Sequence, residues 1–228
     1  MKKFVIVMVM LCAGSAFAGA IYDVQTGVYA LDAEVTIEDA VVTGVRYNGV
    51  FVNEQVNGPY TGVWVYTGVA PGVLVGDLVD VKGLYKEYFD LTEIDVAADL
   101  TGYLTFDSIH TGALVAVDMT IPALQADPEP WESCFIQITS GMMVTEILTY
   151  GEWKVEDVDA PGQYLVMDDY WYDETTVLVG DCYSCAVGIL MYNYGVFKLE
   201  PFEGNICVVD CSVGNEEMTF GGVKALYR

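Results

Sequence analysis

Five residues, Val73-Leu74-Val75-Gly76-Asp77, return unchanged as Val177-Leu178-Val179-Gly180-Asp181. The segments around them return in the same order. Val42-Thr43-Gly44-Val45 is echoed by Val144-Thr145-Glu146-Ile147, and Asn48-Gly49-Val50-Phe51-Val52-Asn53-Glu54 by Tyr150-Gly151-Glu152-Trp153-Lys154-Val155-Glu156. Gly83 matches Gly188, and the offset widens from 102 through 104 to 105 residues. Ordered matches with slowly drifting spacing are the mark of a duplicated unit whose loops have changed length. The chain therefore reads as two copies of one fold, each with its own core.

The unit is built of strands. Val35, Ile37, Val41 and Val45 share one parity against Thr36, Glu38 and Arg46, the period of a half-buried strand. Asn48-Gly49 then signals a hairpin. Val63 and Val65 alternate with Trp64 and Tyr66, and Val79, Val81 and Tyr85 alternate with Asp80, Lys82 and Lys86. Gly83 falls on the inner face of that last strand, where a missing side chain permits a bulge or sharp coil. Phe89-Asp90, Tyr150-Gly151 and Tyr194-Gly195 are further turns. Thr111–Ile121 has strand character and is expected to close the first core. Short, bent strands with a mid-strand glycine suit a five-stranded Greek-key barrel, the OB fold, with a tandem sandwich as the structural rival. The expectation is all-β: two tandem OB-like barrels at 19–126 and 127–212, almost no helix after Ala18, and a tail at 213–228. The tail carries two basic residues and a diglycine, and reads equally as a docking or sorting segment or as an edge strand.

Residues 1–18 read as a secretory leader: Lys2 and Lys3, an apolar run from Phe4 to Leu11, then Ala16-Phe17-Ala18 as a small-x-small cleavage site. The apolar run is shorter than the roughly 20 residues that span a bilayer, and no other stretch resembles a span. Removing the leader leaves seven basic residues against 33 acidic ones, a net charge of −26 shared by both halves. Such a field keeps the chain soluble and repels phosphate backbones. At 54% hydrophobic and 18% charged residues, the chain has the material for two cores and is no disordered polyanion.

Five cysteines follow the leader, all in the second half. Cys182-x2-Cys185 with Cys207-x3-Cys211 has the outline of a four-thiolate zinc site, but an oxidising compartment favours disulfides. In a regular strand Cys182 and Cys185 face opposite ways, roughly 10 Å apart, beyond the ~7 Å reach of a disulfide. One of them is therefore expected to join Cys207 or Cys211 across neighbouring strands. Cys134, in an apolar run, is the expected buried free thiol.

Catalytic signatures are sparse. His110 stands beside Asp107 and Ser108, but no G-x-S-x-G elbow supplies a nucleophile, and a solvent-facing linker histidine is the simpler reading. No H-E-x-x-H, phosphate-binding loop or G-x-G-x-x-G occurs. Asp157 and Asp159 precede a Pro161-Gly162 turn, with Asp168 and Asp169 close behind; clustered carboxylates are what a structural calcium ion would need, and a solvated acidic loop is the alternative. Aromatic residues group more tightly. Trp64, Tyr66, Tyr85, Tyr88 and Phe89 lie in the first copy, and Tyr170, Trp171 and Tyr172 in the second. Two readings stand for these rings: a platform for stacking a ligand on the strand-two and strand-three face, or packing at barrel ends and between the barrels. With so few cations, a glycan or an extracellular or cell-surface protein suits such a platform better than nucleic acid.

Val35-Thr36-Ile37, Gly49-Val50-Phe51-Val52, Gly62-Val63-Trp64-Val65-Tyr66, Val75-Gly76-Asp77 and Tyr88-Phe89-Asp90-Leu91-Thr92-Glu93-Ile94 resemble accessory OB-fold domains of secreted bacterial proteins. So do Gly151-Glu152-Trp153-Lys154-Val155, Gly180-Asp181 and Tyr194-Gly195-Val196-Phe197-Lys198-Leu199-Glu200-Pro201 in the second copy. The resemblance spans about Val35 to Asp210 and rests on turn and core positions. It implies a secreted, non-catalytic binding or surface-assembly module. Because such domains are often joined to extracellular nuclease or phosphatase modules, it also implies an alternative, a metal-dependent phosphodiesterase or nuclease or its nucleic-acid-binding accessory subunit.

Overall fold

The computed structural model describes residues 19–211. The expected leader, 1–18, and the tail, 213–228, lie outside the described residues.

The first sheet contains β1 (Glu34–Arg46), β2 (Gly49–Asn53), β3 (Gly62–Tyr66), β4 (Asp77–Tyr88), β5 (Leu91–Asp95) and β6 (Tyr103–Ile109). Five of these strands close a barrel in the order β1-β2-β3-β5-β4-β1. The β3–β5 pair is parallel and the others are antiparallel. β6 lies beside the first half of β4, and at Gly83 the partner on that side changes to β5. The exchange brings backbone so close that a Cβ at Gly83 would lie 2.9 Å from the Asp95 carbonyl oxygen. The expected role of this glycine as a coil point is met.

The second sheet contains β7 (Val117–Met119), β8 (Phe135–Ile138), β9 (Met142–Ile147), β10 (Trp153–Asp157), β11 (Tyr164–Met167), β12 (Cys182–Asn193) and β13 (Val196–Val209). Its pairings retrace the first circuit. β9 pairs β10, β10 pairs β11, β11 pairs β13 in parallel, and β12 pairs β13, β9 and β8. β8 and β9 together stand where the single long β1 stands in the first copy.

The repeated pentapeptide is a structural turn in both places. Val73 and Val177 enter their cores while the following leucine and valine stay exposed. The Asp77 and Asp181 carboxylates accept from the amides of Leu74 and Leu178, each at 2.8 Å. The Gly76 and Gly180 amides each donate at 2.9 Å to Val42 and Val144 on strand one. Both glycines have φ above 90°, a conformation that side chains oppose. The identity of the five residues is explained by this turn, without chemistry.

Helix is slightly richer than expected. α1 (Ala20–Gln25) precedes the first sheet and α2 (Ile121–Ala126) lies between β7 and β8 of the second, and Ile21 and Val24 enter the first core as Ile121 and Leu124 enter the second. Gln25 Nε2 donates to the Gly62 carbonyl at 2.7 Å, and Gln125 Nε2 to the Tyr164 carbonyl at 2.5 Å. Gly62 opens β3 and Tyr164 opens β11, so the helix and its glutamine recur in the same relation to both sheets.

Three expectations shift. Thr111–Ile121 does not close the first barrel, since β1–β4 pairing does that. β7 instead pairs in parallel with β8, so the chain passes from one sheet to the other at 110–116 rather than at 126. In β1 the single parity breaks at a bulge around Asp39 (φ 53), which turns Ala40 and Val42 inward in place of Val41. The hairpin expected at Asn48-Gly49 turns one residue earlier, since Arg46 already pairs with Gly49.

Cys182 joins Cys211 and Cys185 joins Cys207, with Cα separations of 5.5 and 4.9 Å, and Cys134 is free and buried. Cys185 and Cys207 are register partners across β12 and β13. Each closure, of 29 and 22 residues, contributes about 3–4 kcal/mol by the chain-entropy argument. No helix among the described residues is long and apolar enough to cross a membrane.

Candidate ligand-binding face

Each copy has its own apolar core, and a third cluster joins them. Phe51, Trp64 and Leu91 from the first sheet pack on Ile189 and Met191 from the second, with Tyr66, Tyr170, Trp171 and Phe202 around them. Trp171 Nε1 donates to the Val45 carbonyl at 3.1 Å and Arg46 Nη1 to the Tyr170 carbonyl at 2.8 Å. The Tyr60 amide donates to the Pro130 carbonyl, and Asn57 Nδ2 to the carbonyls of Phe135 and Val115. The outer face of β2 and β3 is thus covered by the second half of the chain. Trp64, Tyr66, Tyr170 and Trp171 are seam residues. Tyr85 lies in the first core, its hydroxyl 2.6 Å from Glu87, and Tyr172 packs on the second core against Trp153. Of the eight rings considered for stacking, only Tyr88 and Phe89 stand largely in solvent, edge-on to each other.

The seam also buries acid. Glu132 accepts from the Thr92 amide across it at 3.0 Å, while its other oxygen is buried without a partner. Burial, with Glu129 and Glu87 near, pushes its pKa up to about 8. Glu93, the register partner of Trp64, is raised to about 7 by burial, with Asp95 and Glu87 adding to it. Glu200 is fully buried with neither carboxylate oxygen hydrogen-bonded, and burial raises it well above the usual range despite Lys198 and Arg46.

The four aspartates expected to hold calcium separate into two pairs. Asp157 sits beyond one end of the β10–β11 hairpin, where its carboxylate accepts from the Asp159 amide. Asp168 follows the other end, accepting from the Asp169 amide and from Lys198. The register, Trp153 on Met167 and Glu156 on Tyr164, puts about 13 Å of strand between the pairs. Among the described residues no group of three or more metal-ligating side chains converges. Burial works against the Lys198 ammonium, but Glu152 and Asp168 more than offset it and hold its pKa above the lysine value.

The matching face of the second half carries a different set of residues. By register, the outward positions Phe51, Trp64 and Tyr66 become Lys154, Val166 and Asp168. The apolar set lies under the seam; of the other set Lys154 is partly exposed, while Val166 and Asp168 are buried, Asp168 against Lys198. Lys154 lies over the Tyr164 ring at 4.5 Å and pairs with Glu156. Beside this face runs a groove of about 820 Å³, bordered by α2, Gln163 to Val166 and the β12–β13 turn.

Of the aromatics at the hairpin tips, only Phe89 was singled out from the sequence; the rest were missed. The loops joining strands one to two and four to five carry Tyr47 and Phe89 in the first copy and Tyr150 and Tyr194 in the second, exposed by 75%, 76%, 91% and 89%. Phe89, Tyr150 and Tyr194 have φ of 51°, 65° and 51°, where a bulky residue costs on the order of 1–2 kcal/mol and Gly or Asn is preferred. Phe89 packs edge-on with Tyr88 and Lys198 lies 5.8 Å from the Tyr194 ring, whereas Tyr150 is 91% exposed. The signal was available: four dipeptides read as turns hold or adjoin an aromatic where turn chemistry asks for none. These two loops flank the face on which OB folds take ligands. No family model and no curated protein matches this chain.

Proposed function

We propose that the chain is a non-catalytic binding module of two tandem OB-like barrels working outside the cytoplasm, and that it takes a glycan on the face of its second barrel. The observation that carries the reading is the asymmetry of the two equivalent faces. One is apolar and sealed by the other barrel; the other replaces Phe51 and Tyr66 by Lys154 and Asp168, lies beside a groove of about 820 Å³, and is rimmed by the exposed rings of Tyr150, Tyr164 and Tyr194. Tyrosine faces stack on sugar rings, while Gln163 and Glu156 supply acceptors and donors for hydroxyls. The net charge and the single lysine at that face disfavour a phosphate backbone. The two disulfides and the leader-like residues 1–18 fit an oxidising compartment.

A glycan array with the processed protein, followed by titration of the best ligand, tests this. Tyr150→Ala with Tyr194→Ala should weaken binding at least tenfold, and Tyr88→Ala should leave it unchanged. A blank array with specific capture of a cell-surface protein through the same face would replace the glycan by a protein ligand. Turnover of a phosphodiester would overturn the non-catalytic reading.

A further inference from the structure

A second concavity lies in the seam, away from the proposed glycan face and independent of it. It encloses about 520 Å³ between β1 at Val41–Thr43, the Val75-Gly76 turn, the crossing segment at His110 and Gly112–Leu114, and Phe135 and Phe202 of the second sheet. Every wall comes from a different part of the fold, so the cavity exists only because the two copies are docked. Small-molecule sites favour such places, and this volume is in their usual range. The lining is apolar apart from Thr43, His110 and Asn205. Thr43 is engaged with Asn53 and Asn205 with the Glu203 carbonyl. The imidazole of His110, the sole histidine of the chain, makes no hydrogen bond to a described residue and stays available. The bulge at Asp39 contributes directly, because it turns Val41 out of the barrel core and into this wall.

We propose that this cavity is a binding site for an uncharged, largely apolar small molecule carrying one hydrogen-bonding group, which His110 receives. Apolar walls remove the hydrocarbon body from water at roughly 25 cal/mol per Å², and an imidazole serves a hydroxyl or carbonyl as donor or acceptor. A carboxylate-headed ligand would enter against a net charge of −24, which selects the neutral head.

The test uses Nile red as an uncharged reporter, with 1-decanol and decanoate as competitors of equal chain length. Saturable binding of one Nile red per chain is expected, displaced by 1-decanol at least tenfold more effectively than by decanoate. Leu114→Trp, which fills the cavity from the crossing segment, should reduce Nile red affinity at least tenfold while the melting temperature holds. If that variant does not fold, Ala113→Phe fills the same space. His110→Ala should keep Nile red binding and erase most of the preference for the alcohol. Non-saturable uptake, or saturable uptake indifferent to a folded filling variant, would overturn the site. Decanoate competing as well as 1-decanol would overturn the neutral-ligand assignment.

Discussion

Replacing Glu132 by Gln should change how stability depends on pH more than it changes stability itself. Glu132 is 1% exposed, accepts one amide from Thr92 and leaves its second oxygen buried and unbonded. Its carboxyl is raised to about 8 from an unfolded value of 4.5, first by burial and then by Glu129 and Glu87. A group whose folded pKa is raised binds its proton more tightly in the folded state. Its contribution is therefore complete below pH 4.5 and is lost as pH climbs through 8. At about 1.36 kcal/mol per unit, the loss between pH 5 and pH 9 amounts to about 3–4 kcal/mol. Glutamine keeps the acceptor for Thr92 and cannot ionise. Urea unfolding of both proteins at pH 5 and pH 9, with disulfides intact and tryptophan fluorescence as the probe, measures the difference. The wild type should lose about 3–4 kcal/mol more than the variant over that interval, on top of a shared loss of the same sign from Glu93 and Glu200. Parallel slopes for the two proteins would refute the reasoning, as would a variant that is weaker at pH 9 than the wild type.

Further outcomes follow from the same geometry. Gly62→Ala should destabilise by about 2–4 kcal/mol and loosen the docking of the two halves, because its Cβ would collide with the Ser133 carbonyl; denaturation with seam and core probes reads both. Tyr194→Asn should raise stability by about 1 kcal/mol by relieving the positive φ while weakening glycan binding. Non-reducing peptide mapping should return Cys182–Cys211, Cys185–Cys207 and a single slow-reacting thiol at Cys134. Cys185→Ala with Cys207→Ala should lower stability by about 3 kcal/mol, and hydrogen exchange should show the loss in the second sheet and not in the first.

The sequence alone determined the all-β class, the inward rows such as Val63 and Val65, the paired turns at Gly76-Asp77 and Gly180-Asp181, and the cysteine segments that had to meet. All of these rest on periodicity, turn chemistry or short-range reach, which a linear pattern carries. It also held both readings of the rings, but not the choice between them. Whether Trp64 stacks a ligand or a neighbour depends on what lies across its face, and that neighbour, Ile189, is 125 positions away. The calcium reading failed to converge for a related reason: closeness in sequence around a hairpin becomes opposite ends of it once the register is set. The bulge at Asp39 was invisible because one inserted residue inverts the side chains that follow it, here Ala40 to Val42, without changing composition. Only the tertiary structure decided what covers the β2–β3 face, since docking brings Ile189 and Met191 of the second sheet onto Phe51 and Trp64.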